Sequence, residues 1–522
     1  MSRPGTLVTV SDEIPPVAAA TDTSVGFMVG EAEHGPTDTV LVRSVDSWRN
    51  RFGERSAPTA VFDAVDSFFR DRGSRLYFRR LTDGATAASG VAEDADDDEI
   101  FTVTATEVGA WGNGLTLELV SPSAAAALAR TRARPRLELV ARAQDDDVDD
   151  DVDDDVENGA DDEPEQGAAV PAVAVVRRGT QVLERSVTLA TTGDLVAWSA
   201  GAAYVRVTAP DETVALTLGA HALAGGLNGT VPVTDPDALL DACLAIDPAL
   251  GPGQLTAPGK TALGQHEAVL RGADFGNRVA YLDADPAADE ATLTAHVRQL
   301  RTLEVDRCGG LFAPRAVIPG LAVNTRRIVP WSGIQAGLTA HRDTFGNIAQ
   351  PAAGRFGISR AAFDLEREYD DDARERLMLA GVNTARIVQQ SVRAYGFRSL
   401  VDPEGPRRAW LQLSGVRTAM AIKAEGDAEA ENYVFAVLDG RLRKIAEFGG
   451  ALSGICLRYW QNDALFGLTS EDAFRVNVGD AVNTPETIAD GQLRAVLLLK
   501  VAPFAEFVEV QIVKQAITEA LA

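Results

Sequence analysis

Cysteine is nearly absent from this chain. Cys243, Cys308 and Cys456 lie far apart and show no CxxC spacing. They cannot form a disulfide framework, which points to a reducing compartment. Histidine is also scarce. His34, His221, His266, His296 and His341 never fall at a metal-ligand spacing such as HxxxH, so no zinc site and no metal is expected. Positive charge is in deficit: 49 lysines and arginines face 76 carboxylates, for a net charge of −27. That balance argues against nucleic acid as a partner, because phosphates need a basic surface. It also disfavours an anionic membrane surface. No apolar run approaches the ~20 residues that span a bilayer. The opening MSRPGTLVTVSDEIPP has no apolar signal segment, so neither membrane insertion nor a secretory signal is expected.

What the chain does have is length and apolar content. Its 522 residues exceed one ordinary core and suggest about three to four domains. Apolar residues make up 46%. Charge is unevenly placed: residues 145–165 hold fourteen carboxylates, and without them the net charge would be −13. A run of this kind repels itself and reads as a solvated or disordered loop. The calcium-loop pattern needs a glycine at its sixth place, which DDDVDDDVDDD lacks.

The hydrophobic pattern predicts an α/β multidomain chain. Its parts are an α/β core with a parallel-type sheet, an inserted all-β domain, and extended arms at both ends. Residues 1–24 read as an arm. Residues 25–95 read as the first part of the core, with buried strands at SVGFMVG and RLYFRRL and a helix over 58–72. Residues 96–229 show short alternating segments such as LTLELV and YVRVTA and no long helical period, which predicts a β domain carrying the acidic loop. Residues 230–375 return to α/β texture, with helices over 236–245, 260–271 and 290–305 and a strand at RVAYLDA. Residues 376–504 read as a last α/β domain. Within it, Val434, Leu438, Ile445 and Phe448 would share one face of a helix over 431–448. Residues 505–522 read as a second arm.

Catalytic motifs do not assemble. GPGQLTAPGKT, residues 251–261, resembles a phosphate loop. It has one residue too many before Gly259-Lys260-Thr261, and Pro258 removes an N–H donor. Asp283 and Asp285 end a strand, where α/β enzymes place carboxylates. Alone they read as turn and cap residues. There is no GxSxG elbow. No nucleophile, base and oxyanion donor come together, and no cofactor is expected.

Several segments, in order, resemble one family: the contractile tail sheath proteins of phages and phage-tail-like injection systems. Pro4-Gly5, Thr23-Ser24, Gly30, Gly35-Pro36, Ser44 and Phe52-Gly53 match that family's opening pattern. GAWGNGL (109–115) and LAGGLNG (223–229) resemble two of its turns. VPWSGIQAGLTAHRDTFGNIAQPAAG (329–354), YGFRSL (395–400) and the ending DGQLRAVLLLKVAPFAEFVEVQI are similar to its later segments. Two departures stand out. AWLQLSGVRTAMAI and AEGDAEAEN replace the segments expected after YGFRSL.

The resemblance implies a structural subunit without enzyme activity. It would stack as hexameric rings around an inner tube, with baseplate and cap proteins at the ends. Contraction would drive the tube through a target envelope. Assembly would begin in the cytoplasm, and the particle could then be released. Terminal arms would add strands to neighbouring copies: Thr6, Leu7, Val8, Thr9 and Val10 at one end, and Phe507, Val508, Glu509, Val510, Gln511, Ile512 and Val513 at the other. Free backbone donors and acceptors suit such segments to strand addition. Arg441, Arg443 and Lys444, a basic cluster in an acidic chain, are candidates for the contact with the tube. The alternative readings are an α/β enzyme with an inserted β domain, dependent on a nucleotide, and a monomeric binding module.

Overall fold

A computed structural model describes residues 21–55, 59–130 and 171–506. Thr6–Val10 and Phe507–Val513 therefore lie outside the described residues, as does the acidic run. The chain divides into two compact units. One takes the segments up to Glu33, Thr37–Asp83 and from Val231 onward. The other takes His34–Pro36 and Gly84–Thr230.

The first unit opens with Val25–Gly30 (β1), which has no polar side chain and is buried throughout. Val40–Val42 (β2) follows, then helix Val45–Phe52 (α1), capped by Ser44 Oγ accepting from Ser47 N–H at 3.0 Å. Helix Val61–Arg70 (α2) and strand Arg75–Arg80 (β3) complete this part.

The second unit is mainly antiparallel β. Its strands are Ala87–Glu93 (β4), Glu99–Val108 (β5) and Leu115–Val120 (β6); after helix Pro122–Arg130 (α3) come Ala172–Arg178 (β7) and Gln181–Leu189 (β8). Helix Thr192–Ser199 (α4) leads to Val205–Thr208 (β9) and Gly219–Ala222 (β10). They form two sheets, β4-β5-β9 and β10-β6-β7-β8. Phe101 and Val103 of one sheet share a core with Leu115, Leu117 and Val176 of the other. The expected all-β domain thus contains two helices. Small residues hide them: α3 is SAAAALA, with no apolar stripe to read, yet Ala125 covers Val173 and Val175 on the outer side of β7.

The rest returns to the first unit. Helix Pro236–Leu244 (α5), strand Gln254–Thr256 (β11), helix Leu263–Phe275 (α6), strand Val279–Asp283 (β12) and helix Glu290–Leu300 (α7) alternate. Strands Gly309–Ala313 (β13), Ala316–Pro319 (β14) and Arg326–Val329 (β15) precede helix Trp331–Phe345 (α8). Strand Asp364–Leu365 (β16), helix Asp371–Ala380 (α9) and strands Val382–Val388 (β17) and Ser391–Ala394 (β18) follow. Helices Leu413–Ala430 (α10) and Arg443–Gln461 (α11) and the strand pair Phe474–Asn477 (β19) and Val496–Leu499 (β20) end the described chain.

The main sheet has eight strands in the order β18-β17-β13-β12-β11-β1-β3-β2. The six from β17 to β3 run parallel, while β18 and β2 close the edges antiparallel. It is therefore a mixed sheet. It spans residues on both sides of the boundary expected at 375. Side chains alternate between its faces. Phe27, Val29, Ala280 and Leu282 join the core under α5, α6, α7 and α9; Met28, Val279 and Tyr281 join the core under α2, α8 and α10. Both faces are covered, which is why these strands read as unbroken apolar runs.

The segment expected as a helix over 431–448 is different. After a turn at Glu431–Tyr433 the chain is irregular to Leu442, and α11 begins at Arg443. Val434 and Leu438 therefore do not lie on a helix face. Asp439-Gly440 favours a turn, and Leu442 adopts a left-handed conformation at φ 56°.

Helix α8 lies close on α2 because Gly333 and Gly337, four apart, present one bare face. A Cβ at Gly337 would stand 2.5 Å from Phe68 O, and one at Gly333 would stand 2.7 Å from Ala64 O. Alanine normally gains about 1 kcal/mol over glycine in a helix. Here the clash outweighs that gain, and Gly337→Ala should lower stability by about 1–3 kcal/mol in denaturant titration. A raised midpoint would contradict the close approach.

Asp71, just after α2, is buried and accepts from Ser359 Oγ at 2.8 Å and from Arg360 N–H and Ala361 N–H. Burial pushes its carboxyl up to about 6, against the pull of those bonds. A folded pKa above the unfolded value favours folding at low pH. The contribution is whole below about pH 4 and lost as pH rises through about 6. Relative to Asp71→Asn, the natural chain should lose about 1–3 kcal/mol between pH 4 and pH 7. Parallel pH profiles of the two proteins would contradict this.

Candidate functional site: the roots of the two chain ends

The first described residues are tied to the core by side chains. Thr21 N–H donates to Glu425 Oε1 at 3.0 Å. Asp22 accepts from Ser24 N–H and Ser24 Oγ and pairs with Arg75. Thr23 Oγ1 donates to Asp343 Oδ2 at 2.8 Å, and Gln254 Nε2 donates to Thr23 O at 2.9 Å. Asp343, near the end of α8, also pairs with Arg417 of α10, and both side chains are fully buried. Glu425, eight residues further along α10, is buried as well. It accepts from Tyr459 Oη at 2.9 Å and pairs with Arg458. Burial and the Glu425 carboxylate push the Tyr459 phenol upward, so it stays a donor.

The last described residues are held in the same manner. Gln412, the residue capping α10, brackets Phe504: Gln412 Nε2 donates to Phe504 O, and Phe504 N–H donates to Gln412 Oε1, both at 3.2 Å. Arg398 Nε donates to Glu506 Oε1 at 2.9 Å. The Arg398 backbone is fixed by Asn383, whose Nδ2 donates to Arg398 O at 2.8 Å and whose Oδ1 accepts Arg398 N–H at 2.6 Å. Both roots thus rest on one helix. Gln412 and Glu425 are thirteen positions apart, about 20 Å along a helix at 1.5 Å per residue.

The motif segments meet in pairs. Thr23 reaches Asp343 of the TAHRDTFGN segment, and Arg398 of YGFRSL reaches Glu506. In the second unit, GAWGNGL meets LAGGLNG. Asn113 Nδ2 donates to Gly226 O at 3.0 Å, Gly226 N–H donates to Asn113 Oδ1 at 2.7 Å, and Ala110 N–H donates to Asn228 Oδ1 at 2.8 Å. Arg417, Glu425 and Gln412 are not apparent from sequence reasoning. One signal was present: Arg417 stands alone in the apolar stretch Leu413–Ile422.

Arg441 and Arg443 are exposed, and Lys444 is half-exposed. Arg441 lies in the loop before α11. Arg443 Nε donates to Asp439 Oδ2 at 2.7 Å, and Lys444 Nζ donates to Glu447 Oε2 at 2.5 Å. Their loop carries the exposed apolar residues Val434, Phe435 and Val437. Cations at a helix N-terminus oppose its dipole, and the first turn of α11 has no acidic residue. Pairing of Arg443 with Asp439 and of Lys444 with Glu447 offsets that cost locally.

The near-miss phosphate loop is spent on structure. Lys260 is buried, pairs with Glu31 and donates to Val233 O at 2.7 Å. Gly259 N–H donates to Asp283 Oδ2 at 3.1 Å. Asp283 also accepts from Ser332 N–H at 2.8 Å and Ser332 Oγ at 2.7 Å, so it joins this loop to the start of α8. Asp285 caps a turn through Ala287 N–H. His266 Nδ1 lies 2.8 Å from His296 Nε2, and burial, then His296, push His266 down to about 3. The three cysteines are buried. Among the described residues no three His, Cys, Asp or Glu side chains gather to hold a metal. No described helix is long and apolar enough to cross a membrane.

No family model matches the sequence, and no curated protein matches it either. Solved structures do. A sheath tail protein from Listeria innocua superposes with a TM-score of 0.58 at 10% identity, over 89% of this chain and 90% of its own. The helical sheath of the anti-feeding prophage in its contracted state gives 0.52 at 14% identity, over 99% and 100%. The contracted PVC sheath complex of an extracellular contractile injection system gives 0.54 at 11%, over 99% and 98%. The chain has the fold of contractile tail sheath proteins, along nearly its whole length and theirs.

Arg417 and Asp343 give this site its sharpest test. Arg417→Met leaves a buried carboxylate unmatched and should destabilise the chain by about 3–5 kcal/mol. Adding Asp343→Leu should recover most of that loss, since both charges are then gone. A double variant as unstable as the single one, in denaturant titration, would contradict the pairing.

Proposed function

We propose that this chain is the subunit of a contractile sheath. It stacks as hexameric rings around an inner tube and shortens to drive that tube through a target envelope. The observation that carries the reading is the anchoring of both chain ends on α10, in a fold shared end to end with proteins solved as assembled sheaths. Beyond each root lies strand-forming sequence, Thr6–Val10 and Phe507–Val513. A fixed root with a strand-forming extension suits strand addition to a neighbouring copy.

Magnitudes favour a polymer over a dimer. About five backbone bonds per arm contribute roughly 3–7 kcal/mol net. Association costs about 4–15 kcal/mol. One arm contact barely offsets that cost, while several per subunit in a ring exceed it. Contacts that do not close give helical stacks. Contraction is then rigid-body rearrangement about the arms, with energy from repacking rather than from a nucleotide. The partners are further copies of the chain, the inner tube, and baseplate and cap proteins. Assembly begins in the cytoplasm, and the particle is then available for release. Arg441, Arg443 and Lys444, placed against the dipole of α11, face the tube and favour the extended state by charge complementarity.

Electron microscopy tests this directly. The full chain, with its tube protein co-expressed, should give hollow ribbed tubes. A chain without residues 1–20 and 507–522 should give small particles only. Reversing the charges at Arg441, Arg443 and Lys444 should abolish tube-templated assembly and leave tube-free association intact. Ribbed tubes from the trimmed chain would refute the arm mechanism.

A further inference from the structure

In a chain with 76 carboxylates, four arginines of the first unit gather near His341 and Phe356 without forming an ion pair among the described residues. Arg72 follows α2, Arg342 ends α8, and Arg355 and Arg360 lie in the loop after it. None of the four makes an ion pair among the described residues. Arg327, by contrast, pairs with both Asp63 and Asp66. Arg342 and Arg355 share one ring, with their guanidinium carbons 4.3 Å and 4.4 Å from the Phe356 centroid. Arg72 and Arg360 are brought together by Asp71, which holds the Arg360 N–H. Burial first, then Arg360, lowers the pKa of Arg72 against the pull of Asp71; burial lowers that of Arg342 against the pull of Asp343, with Arg355 adding to the lowering.

The nearest carboxylates are committed elsewhere. Asp71 is occupied by Ser359, Arg360 and Ala361; Asp343 is occupied by Arg417 and Thr23. Four like charges held close repel one another. The stacking on Phe356 and the brace at Asp71 hold them there despite that repulsion. Such an arrangement accepts carboxylates from outside.

The same chain supplies a matching misfit. Asp427, Glu429 and Glu431 crowd the C-terminal end of α10, the negative pole of the helix, where anions are unfavourable. Asp427 pairs with Lys423 at 2.7 Å, and Glu429 accepts from Asn432 Nδ2 at 3.4 Å, which leaves the carboxylates of Glu429 and Glu431 without a cation among the described residues. No ion pair joins the acidic end of α10 to the arginine cluster within one chain among the described residues.

Resting on the sheath reading, we infer that the patch formed by Arg72, Arg342, Arg355 and Arg360 docks the acidic end of α10 of a second copy of this chain. The contact answers a specific need. Copies that each carry −27 repel, and a polymer of them requires places where opposite charges meet. It is independent of the arms, because every residue it uses lies in the folded core.

The test is sedimentation of the full chain and of the chain without residues 1–20 and 507–522, each at low and high salt. Arg72→Glu/Arg360→Glu should weaken self-association at low salt by about tenfold or more. Glu429→Arg/Glu431→Arg should do the same. The fourfold swap carrying all these changes should restore association. All four positions are at the surface or its edge, and melting temperatures should stay close to that of the natural chain. Either double variant associating like the natural chain would overturn the proposal. So would a fourfold swap as defective as the doubles. A loss confined to binding of the co-expressed tube protein would also overturn it, since the patch would then serve the tube. Failure of the sheath reading looks different: the full chain with its tube protein would give no ribbed tubes, while the salt-sensitive contact would still be readable in the trimmed chain.

Discussion

A guanidinium buried away from water has to be met by a carboxylate, and at Arg417 this requirement organises the surrounding structure. Arg417 sits on α10 with no exposed surface, and Asp343 of α8 answers it. Desolvation makes such a pair a poor source of net stability. It does, however, penalise any arrangement that separates its members. The pair therefore fixes α10 against α8, and Thr23, donating to Asp343, fixes the chain that leads out of the core. Glu425 and Gln412 extend the principle along the helix to both chain ends. The polar groups of α10 thus specify where Thr21 and Phe504 are held rather than how stable the core is.

The apolar structure is arranged to make that possible. Both faces of the eight-stranded sheet are covered, and α8 can lie close on α2 only because Gly333 and Gly337 carry no side chain. Tight seating of α8 brings Asp343 within reach of α10. The surface follows a different logic. An acidic excess makes copies of the chain repel one another, and basic clusters interrupt it beside α2 and α8 and at the start of α11. Arg72 and Arg342 make no ion pair among the described residues, and Arg443 and Lys444 stand at the positive pole of α11, paired with Asp439 and Glu447.

Much of the sheet was legible in the sequence. Val25–Gly30 and Val279–Asp283 are buried on both sides, so they read as unbroken apolar runs. The alternation of Leu115–Val120 showed a strand with one covered face. Helices α8 and α10 were not legible. They are buried nearly all round and rich in glycine, alanine, serine and threonine, which leaves no apolar stripe. The helix expected over 431–448 failed because apolar spacing was weighed above the Asp439-Gly440 turn. The anchors were beyond reach for a simpler reason. Glu425 meets Thr21 across 404 residues of chain and Arg417 meets Asp343 across 74, and local patterns carry no information about such partners. Motif order conveyed the likeness to sheath proteins, but not the contacts that Thr23, Asp343 and Arg398 make within those segments.

The central claim is that α10 holds both chain ends at their roots. Amide hydrogen exchange of the unassembled chain measures this most directly. The account predicts that Thr21 and Phe504 N–H exchange slowly, as bonded amides of the core do, and that Glu425→Ala and Gln412→Ala each release only the root they hold. Rapid exchange at both roots in the natural chain would contradict it, because the ends would then leave the core without being fixed to it.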